Sequence, residues 1–141
     1  MTVGTLTALV LLAAGLLFVT ALGLGVWKWL AMVGAPDGRA HPYVDIAHRS
    51  ALLYSFATAM IAIFVELSGW PTPVNATAAT VLVLMFVITI ANYINHGIRR
   101  DTDNQMHNPP PAMRWVLVAL IVGEIGGFCV LLTGFAAAQF F

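Results

Sequence analysis

Few residues in this chain are equipped for chemistry, and most of them cluster near one end of long apolar runs. The stretch "VDIAHRSALLYSFATAMIAIF", Val44 to Phe64, opens with Asp45, His48 and Arg49 and then turns almost wholly apolar. A neutral imidazole in that position can hydrogen-bond Asp45 or water at a membrane boundary. It can also donate its lone pair to a metal, heme iron above all, or move protons. A second group lies in "ANYINHGIRR". There Asn92, Asn95, His96 and Arg99 fall at i, i+3, i+4 and i+7, which predicts a single polar helix face. Such a stripe can hold helices together, at about 0.6 kcal/mol per contact, or line a pocket. Three polar side chains exceed what helix adhesion requires. Tyr54 and Tyr93 bring phenols within a turn or two of the same level, where each can orient a substrate or satisfy a backbone carbonyl.

Glu124 is a separate case. It sits near the centre of the last apolar run, where an ionised carboxylate is least tolerated, so it is expected to be protonated or paired inside a bundle. A proton relay or ion-coupling carboxylate is the functional alternative. Gly123 and Gly127 beside it form a G-x-x-x-G, with Gly134 seven residues further on, a spacing that lets helix backbones approach closely. Glu66, towards the other end of its run, suits an interfacial role.

The elements that must position these groups follow from composition. The chain has 141 residues, 60% of them hydrophobic and 9% charged, with a mean hydropathy of +0.91. Soluble domains are roughly 45–50% apolar and about 25% charged. The fold class is therefore all-α: an integral membrane four-helix bundle in one domain over residues 1–141. About 20 apolar helical residues cross a bilayer, and four stretches qualify, at about 3–33, 46–70, 76–98 and 113–140. The first is too long for a signal-peptide core and has no basic residues before it, so it reads as a retained span. "GAPDGRAHPY", "GWPTPVN" and "RRDTDNQMHNPPP" connect the spans and are rich in helix-ending residues.

All six basic residues, Lys28, Arg39, Arg49, Arg99, Arg100 and Arg114, fall at the end shared by the first and third loops. The positive-inside rule puts that end in the cytoplasm and both termini on the non-cytoplasmic side of the cell's inner (plasma) membrane. Trp27, Trp29 and Trp115 mark the same boundary and Trp70 the other, as interfacial anchors. At 1.5 Å per residue, His48 and His96 are each roughly 13–15 Å from the middle of their expected spans, and so level with one another. If the third helix runs on past the membrane, Asp103 continues its polar stripe.

Several functions are excluded. A net charge of zero with no basic stripe gives no reason to expect nucleic acid. The single Cys129 rules out an intrachain disulfide framework. Zinc-ligand spacing, a nucleophile elbow and a phosphate-binding glycine loop are absent. Asn75-Ala-Thr77 matches a glycosylation acceptor, a short pattern that arises often by chance.

At "AHRSALLYSFATAMIAIF" the chain resembles the second helix of the styrene oxide isomerase and hydroxylaminobenzene mutase family of small four-helix membrane enzymes. The matching residues are Ala47-His48 followed by Ala51-Leu52, then Ala91-Asn92 on the third helix and Asn104-Gln105 in the polar loop. Size, span number and the charged first loop agree over most of the chain. The resemblance implies a homotrimer with heme b at the subunit interfaces, its iron held by His48. It also implies a ferric Lewis acid that opens an epoxide towards a benzylic cation, after which a hydride shift gives a carbonyl compound without net redox change. The chain departs from the family at Tyr54, where the isomerase has a substrate-contacting asparagine, and at Ile90, where it has a tryptophan. Glu124 has no counterpart.

Three readings follow. The first is an intramolecular isomerase acting on a small hydrophobic substrate, with heme b on His48 and with Tyr54, Asn92, Tyr93 and Asn95 orienting the substrate. The second is an electron carrier whose heme is bound by both His48 and His96. The third is a non-catalytic small membrane subunit. A glutathione-dependent trimeric enzyme shares the size and span count but needs more arginines around a cytoplasmic pocket. Four helices enclose little space, so a heme is expected between subunits of a homo-oligomer.

Overall fold

The computed structural model describes residues 2–141. Four long helices run up and down: α1 (Thr5–Val33), α2 (Pro42–Leu67), α3 (Thr72–Arg99) and α4 (Ala112–Phe140). All are long and apolar enough to span a bilayer. Compared with the expected runs, α2 starts and stops earlier and α3 starts earlier, because proline sets both starts. Pro42 occupies the first turn of α2 and Pro73 that of α3. Their fixed φ and missing N–H suit a position whose N–H has no helical partner. At α2 the His41 imidazole accepts from the Tyr43 N–H (3.3 Å) and caps the helix. α3 stops where Arg100 turns left-handed (φ 52°) and gives its N–H to the His96 carbonyl (2.8 Å). Asp103 therefore does not prolong the α3 stripe; it lies in the loop.

Apolar packing divides into two layers. One joins Val10, Ile61, Val65, Leu82, Phe86 and Leu131, and so draws on all four helices. The other, nearer the basic loops, joins Leu17, Ala21, Leu24, Ala47, Ala51 and Ile90 and contains nothing from α4. At that end the core is three helices deep.

The reason lies in α4. It is α-helical over Ala112–Ile121 and Gly127–Phe140, with a π-helical turn at Val122–Gly126 between them. Three glycines in "VGEIGG" leave the backbone free to widen there. Beyond the turn, towards the C-terminus, α4 packs tightly. A Cβ on Gly127 would meet Leu82 Cγ at 3.0 Å, and one on Gly123 would meet Met85 Cγ at 3.1 Å. Gly134 lies so close to Ser68 and Trp70 that a side chain there has no room. The glycine face thus works as a packing face. On the other side of the turn, Ala112–Ile121 buries none of its residues.

The end opposite the basic loops is clasped. Glu66 of α2 accepts from the Gly4 N–H (3.2 Å to Oε2) and from the Thr7 hydroxyl, satisfying free donors at the start of α1. Gly69 N–H donates to the Gly134 carbonyl (2.9 Å), and Trp70 Nε1 donates to the Val130 carbonyl (3.0 Å). Asn75 is 4% exposed and its amide donates to the Trp70 carbonyl (3.0 Å). It is a buried structural residue, closed to glycosylation in this fold. Trp27 is not only an interfacial anchor, because it fills the space left by Gly97: a Cβ there would meet its Cη2 at 2.8 Å.

Candidate functional site

The structure separates the residues singled out in the sequence into three groups. His48 stands alone on the side of α2 that faces α1. Its Nδ1 lies 2.9 Å from the Ala21 carbonyl oxygen. A carbonyl only accepts, so Nδ1 is the donor, and Nε2 makes no hydrogen bond to the described residues. Gly25 makes room for the ring: a Cβ there would meet Cε1 at 2.9 Å and Nδ1 at 3.2 Å. Asp45 is not the partner of His48. It pairs with Lys28 and, at 3.3 Å, with Arg49. Anchoring one ring nitrogen on a backbone carbonyl while the other stays free is how metal-ligating histidines are commonly oriented. The donor set suits a porphyrin iron, which needs one imidazole from the protein, and His48 is half-buried, not lost in the core. Among the described residues no three His, Cys, Asp or Glu side chains gather to hold a bare metal ion.

The second group ties the polar loop onto α2 and α3. Asn92 Nδ2 donates to Gln105 Oε1 (2.7 Å), and the Gln105 N–H donates to the Tyr43 hydroxyl (2.7 Å). His96 donates from Nδ1 to Asp101 Oδ1 (2.8 Å), and its ring lies 5.0 Å from that of Tyr43. His41, already accepting at Nδ1, donates from Nε2 to Asp103 (3.1 Å). The neighbouring His96 holds the Asp101 carboxyl below the usual aspartate range. Asn95 does not join this group; it is exposed, on the outer side of α3. The predicted stripe therefore loses Asn95 and keeps Asn92, His96 and Arg99, whose Nη1 lies 4.0 Å from Asp101 Oδ2.

The expected level of the two histidines is also corrected. His96 is level with Tyr43, which precedes His48 by five residues. At 1.5 Å per residue that places His96 about 7 Å nearer the basic end. Equal levels would require α2 to start later than it does. Within one chain, His48 turns to α1 and His96 to the loop.

The third group, Tyr54 and Glu124, lies near the middle of the helices, whereas Tyr93 stands nearer the basic end with its ring 5.9 Å from that of Tyr43. Tyr54 stacks on Phe86 (centroids 4.2 Å apart, planes 13° apart) and touches both apolar layers. Glu124 lies in the π-helical turn of α4, half-buried, with no hydrogen bond or ion pair to the described residues. No family model, curated protein or solved structure matches the chain. The functional reading therefore rests on these residues and their geometry.

Sequence reasoning misses Tyr43 and the π turn. Tyr43 carries a faint signal, an aromatic residue directly after the helix-starting Pro42. Gln105 is named in the sequence only through the resemblance, as part of Asn104-Gln105, and without a role; the fold makes it the partner of Asn92 and Tyr43.

Proposed function

We propose that the chain is a membrane-embedded enzyme that holds heme b on His48, between copies of itself, and rearranges small apolar epoxide-type substrates without net redox change. The observation that carries this reading is the His48 imidazole, with Nδ1–H fixed on the Ala21 carbonyl and Nε2 left free. With the Asp45 carboxylate engaged by Lys28 and Arg49, pairing with Asp45 no longer accounts for this histidine. A heme held by His48 would supply Lewis-acid polarisation of an epoxide oxygen. The chain's own part is to fix the imidazole, exclude water with the apolar surfaces of α1 and α2, and hold the substrate in a low-dielectric space. The oligomer fits the uncovered half of α4, and three copies is the number the resemblance implies. The basic loops face the cytoplasm in this reading.

The electron-carrier alternative would need a second histidine on the heme, and the two histidines of one chain differ in level and direction. It would have to use His96 of another copy. An absorption spectrum of the purified protein separates these cases. The expected result is a Soret band that shifts on adding cyanide or imidazole, is lost in His48→Ala and persists in His96→Ala, with every variant still inserted in the membrane. Normal heme content in His48→Ala refutes the assignment, and loss of heme in His96→Ala favours the electron carrier.

A further inference from the structure

Three of the six basic side chains already have carboxylates: Lys28 and Arg49 share Asp45, and Arg99 reaches Asp101. Arg39, Arg100 and Arg114 have no carboxylate partner among the described residues. Two of these, Arg39 from the first loop and Arg100 from the end of α3, line one cavity of about 600 Å³. Its apolar lining includes Leu30, Ala31 and Ala35, at the end of α1 and in the turn that follows. Asp37 is the one carboxylate in the lining, and it accepts from the Arg39 N–H (3.1 Å). His41 lines the cavity with both ring nitrogens engaged, by the Tyr43 N–H and by Asp103. Two guanidiniums against one carboxylate leave the cavity one net positive charge.

The backbone at Arg100 adds a second observation. It is left-handed (φ 52°), at a helix end where glycine is favoured. The end of α3 attracts a cation, but Arg99 already supplies one, so capping does not account for a second arginine in strained backbone. Depth is the third. Trp29, 61% exposed, directly precedes Leu30 and puts the cavity at the membrane interface, where phospholipid headgroups lie. From Leu30 an exposed apolar strip continues along α1 through Val26, Leu22 and Val19, at i−4, i−8 and i−11. At 1.5 Å per residue it covers about 16 Å, one leaflet of a hydrocarbon core about 30 Å thick.

We propose that this cavity binds an anionic phospholipid from the leaflet on the basic side, its phosphodiester held by Arg39 and Arg100 and an acyl chain lying along the Leu30–Val19 strip. Guanidinium groups suit phosphate oxygens, because their N–H donors form paired, charge-assisted bonds. One phosphodiester carries one negative charge, which matches the charge left over in the cavity. Helix ends do not decide the sign: the start of α2 at Pro42 favours an anion, while the ends of α1 and α3 oppose it. Selection therefore rests on the two arginines. A lipid fits better than a free phosphate, because Leu30 belongs both to the cavity and to the lipid-facing strip. Arg114 is equally unpaired but lines a different cavity, beside Trp115 and Pro109–Pro111. The site is independent of the heme reading, since His48 meets α1 deeper in the bundle, at Ala21 and Gly25.

The test uses purified full-length protein in an uncharged detergent and three probes: dioctanoylphosphatidylglycerol, dioctanoylglycerol with the same tails but no phosphate, and inorganic phosphate. Calorimetry is corrected with protein-free micelles. The phospholipid is expected to bind saturably, one per chain, about 10-fold or more tighter than either other probe. Arg39→Gln and Arg100→Gly should each weaken it about 5-fold, as loss of one ionic contact at a membrane surface does. Glycine suits the left-handed backbone at position 100, so Arg100→Gly keeps the fold, and circular dichroism and gel filtration should match the wild type. Arg114→Gln should bind as the wild type does. Added salt should weaken the phospholipid and leave dioctanoylglycerol unchanged. Equal weakening in Arg114→Gln would mean diffuse attraction to the basic face and overturns the site. So does dioctanoylglycerol binding as tightly as the phospholipid, or full affinity in both Arg39→Gln and Arg100→Gly. Inorganic phosphate binding as tightly as the phospholipid assigns the cavity to a soluble anion and overturns the lipid. His48→Ala should bind the phospholipid normally, so this proposal and the heme reading fail separately.

Discussion

Replacing Gly25 with alanine tests the arrangement of His48 most directly. An ideal Cβ there lies 2.9 Å from His48 Cε1, 3.2 Å from Nδ1 and 3.6 Å from Nε2. Carbon contacts settle at about 3.5–4.0 Å, so the ring must retreat by roughly 0.5–1 Å. That movement takes the Nδ1–Ala21 bond from 2.9 Å to the edge of, or beyond, bonding distance. The cost is a hydrogen bond of about 0.5–1.5 kcal/mol and a displaced rotamer of similar size. Alanine returns up to about 1 kcal/mol of helix propensity. Stability should therefore fall by about 0–3 kcal/mol.

Heme affinity should suffer more, by about 10–100-fold, because the bond that orients the ligand is the one lost. Gly23 provides the control: two residues away on the same helix, a Cβ placed on it has nothing within 4 Å. Gly23→Ala should leave heme affinity alone. Heme titration followed at the Soret band, with unfolding in a denaturing detergent measured alongside, gives both quantities. Equal heme affinity in the two variants would show that His48 orientation is irrelevant to the cofactor and defeat the reasoning.

Two further outcomes probe the frame around the sites. Gly134→Ala forces Ser68 and Trp70 apart and strains the bonds from Gly69 to Gly134 and from Trp70 to Val130; it should cost about 1–3 kcal/mol in detergent unfolding. Gly126→Ala, with open space around it, should not, and equal stability of the two variants contradicts the packing described. Asp101 is held below its ordinary pKa of 3.8 by His96, so its contribution to docking the loop is complete above 3.8 and disappears as pH falls through the lower folded value. Hydrogen exchange over residues 101–108 should rise only in that acidic range in the wild type. In Asp101→Asn it should already be raised at neutral pH; identical profiles would show that the pair does not hold the loop.

The four spans were legible because the bilayer imposes one demand, an apolar run of sufficient length, and composition reports it directly. The glycine packing face was legible for a similar reason, since small residues at a fixed spacing have few other uses in a membrane helix. Orientation around each helix was harder to read. Asn95 matched the polar stripe by spacing yet lies outside it, because which flank of α3 is covered depends on its neighbours. The level of His96 followed from helix boundaries, and α2 begins four residues earlier than its apolar run suggests, since Pro42 starts the helix before the hydrophobic stretch does. The π turn left no trace in the hydrophobic pattern: Met113, Leu117, Leu120 and Glu124 on one side and Leu131 and Gly134 on the other still read as one continuous helix. Gln105 gains its meaning only when the loop folds back onto Asn92 and Tyr43.

The uncovered half of α4 bears on the proposed oligomer. Trp115, Val118 and Ile121 are exposed there, but lipid tails cover apolar side chains as well as protein does, so their exposure alone demands nothing. Glu124 is another matter, because hydrocarbon offers neither a hydrogen bond nor a charge. The π turn that carries it separates the packed Gly127–Phe140 part of α4 from Ala112–Ile121, which buries none of its residues. A neighbouring copy can offer the polar partner that lipid cannot, and covering Ala112–Ile121 from outside leaves the packed half of α4 in place.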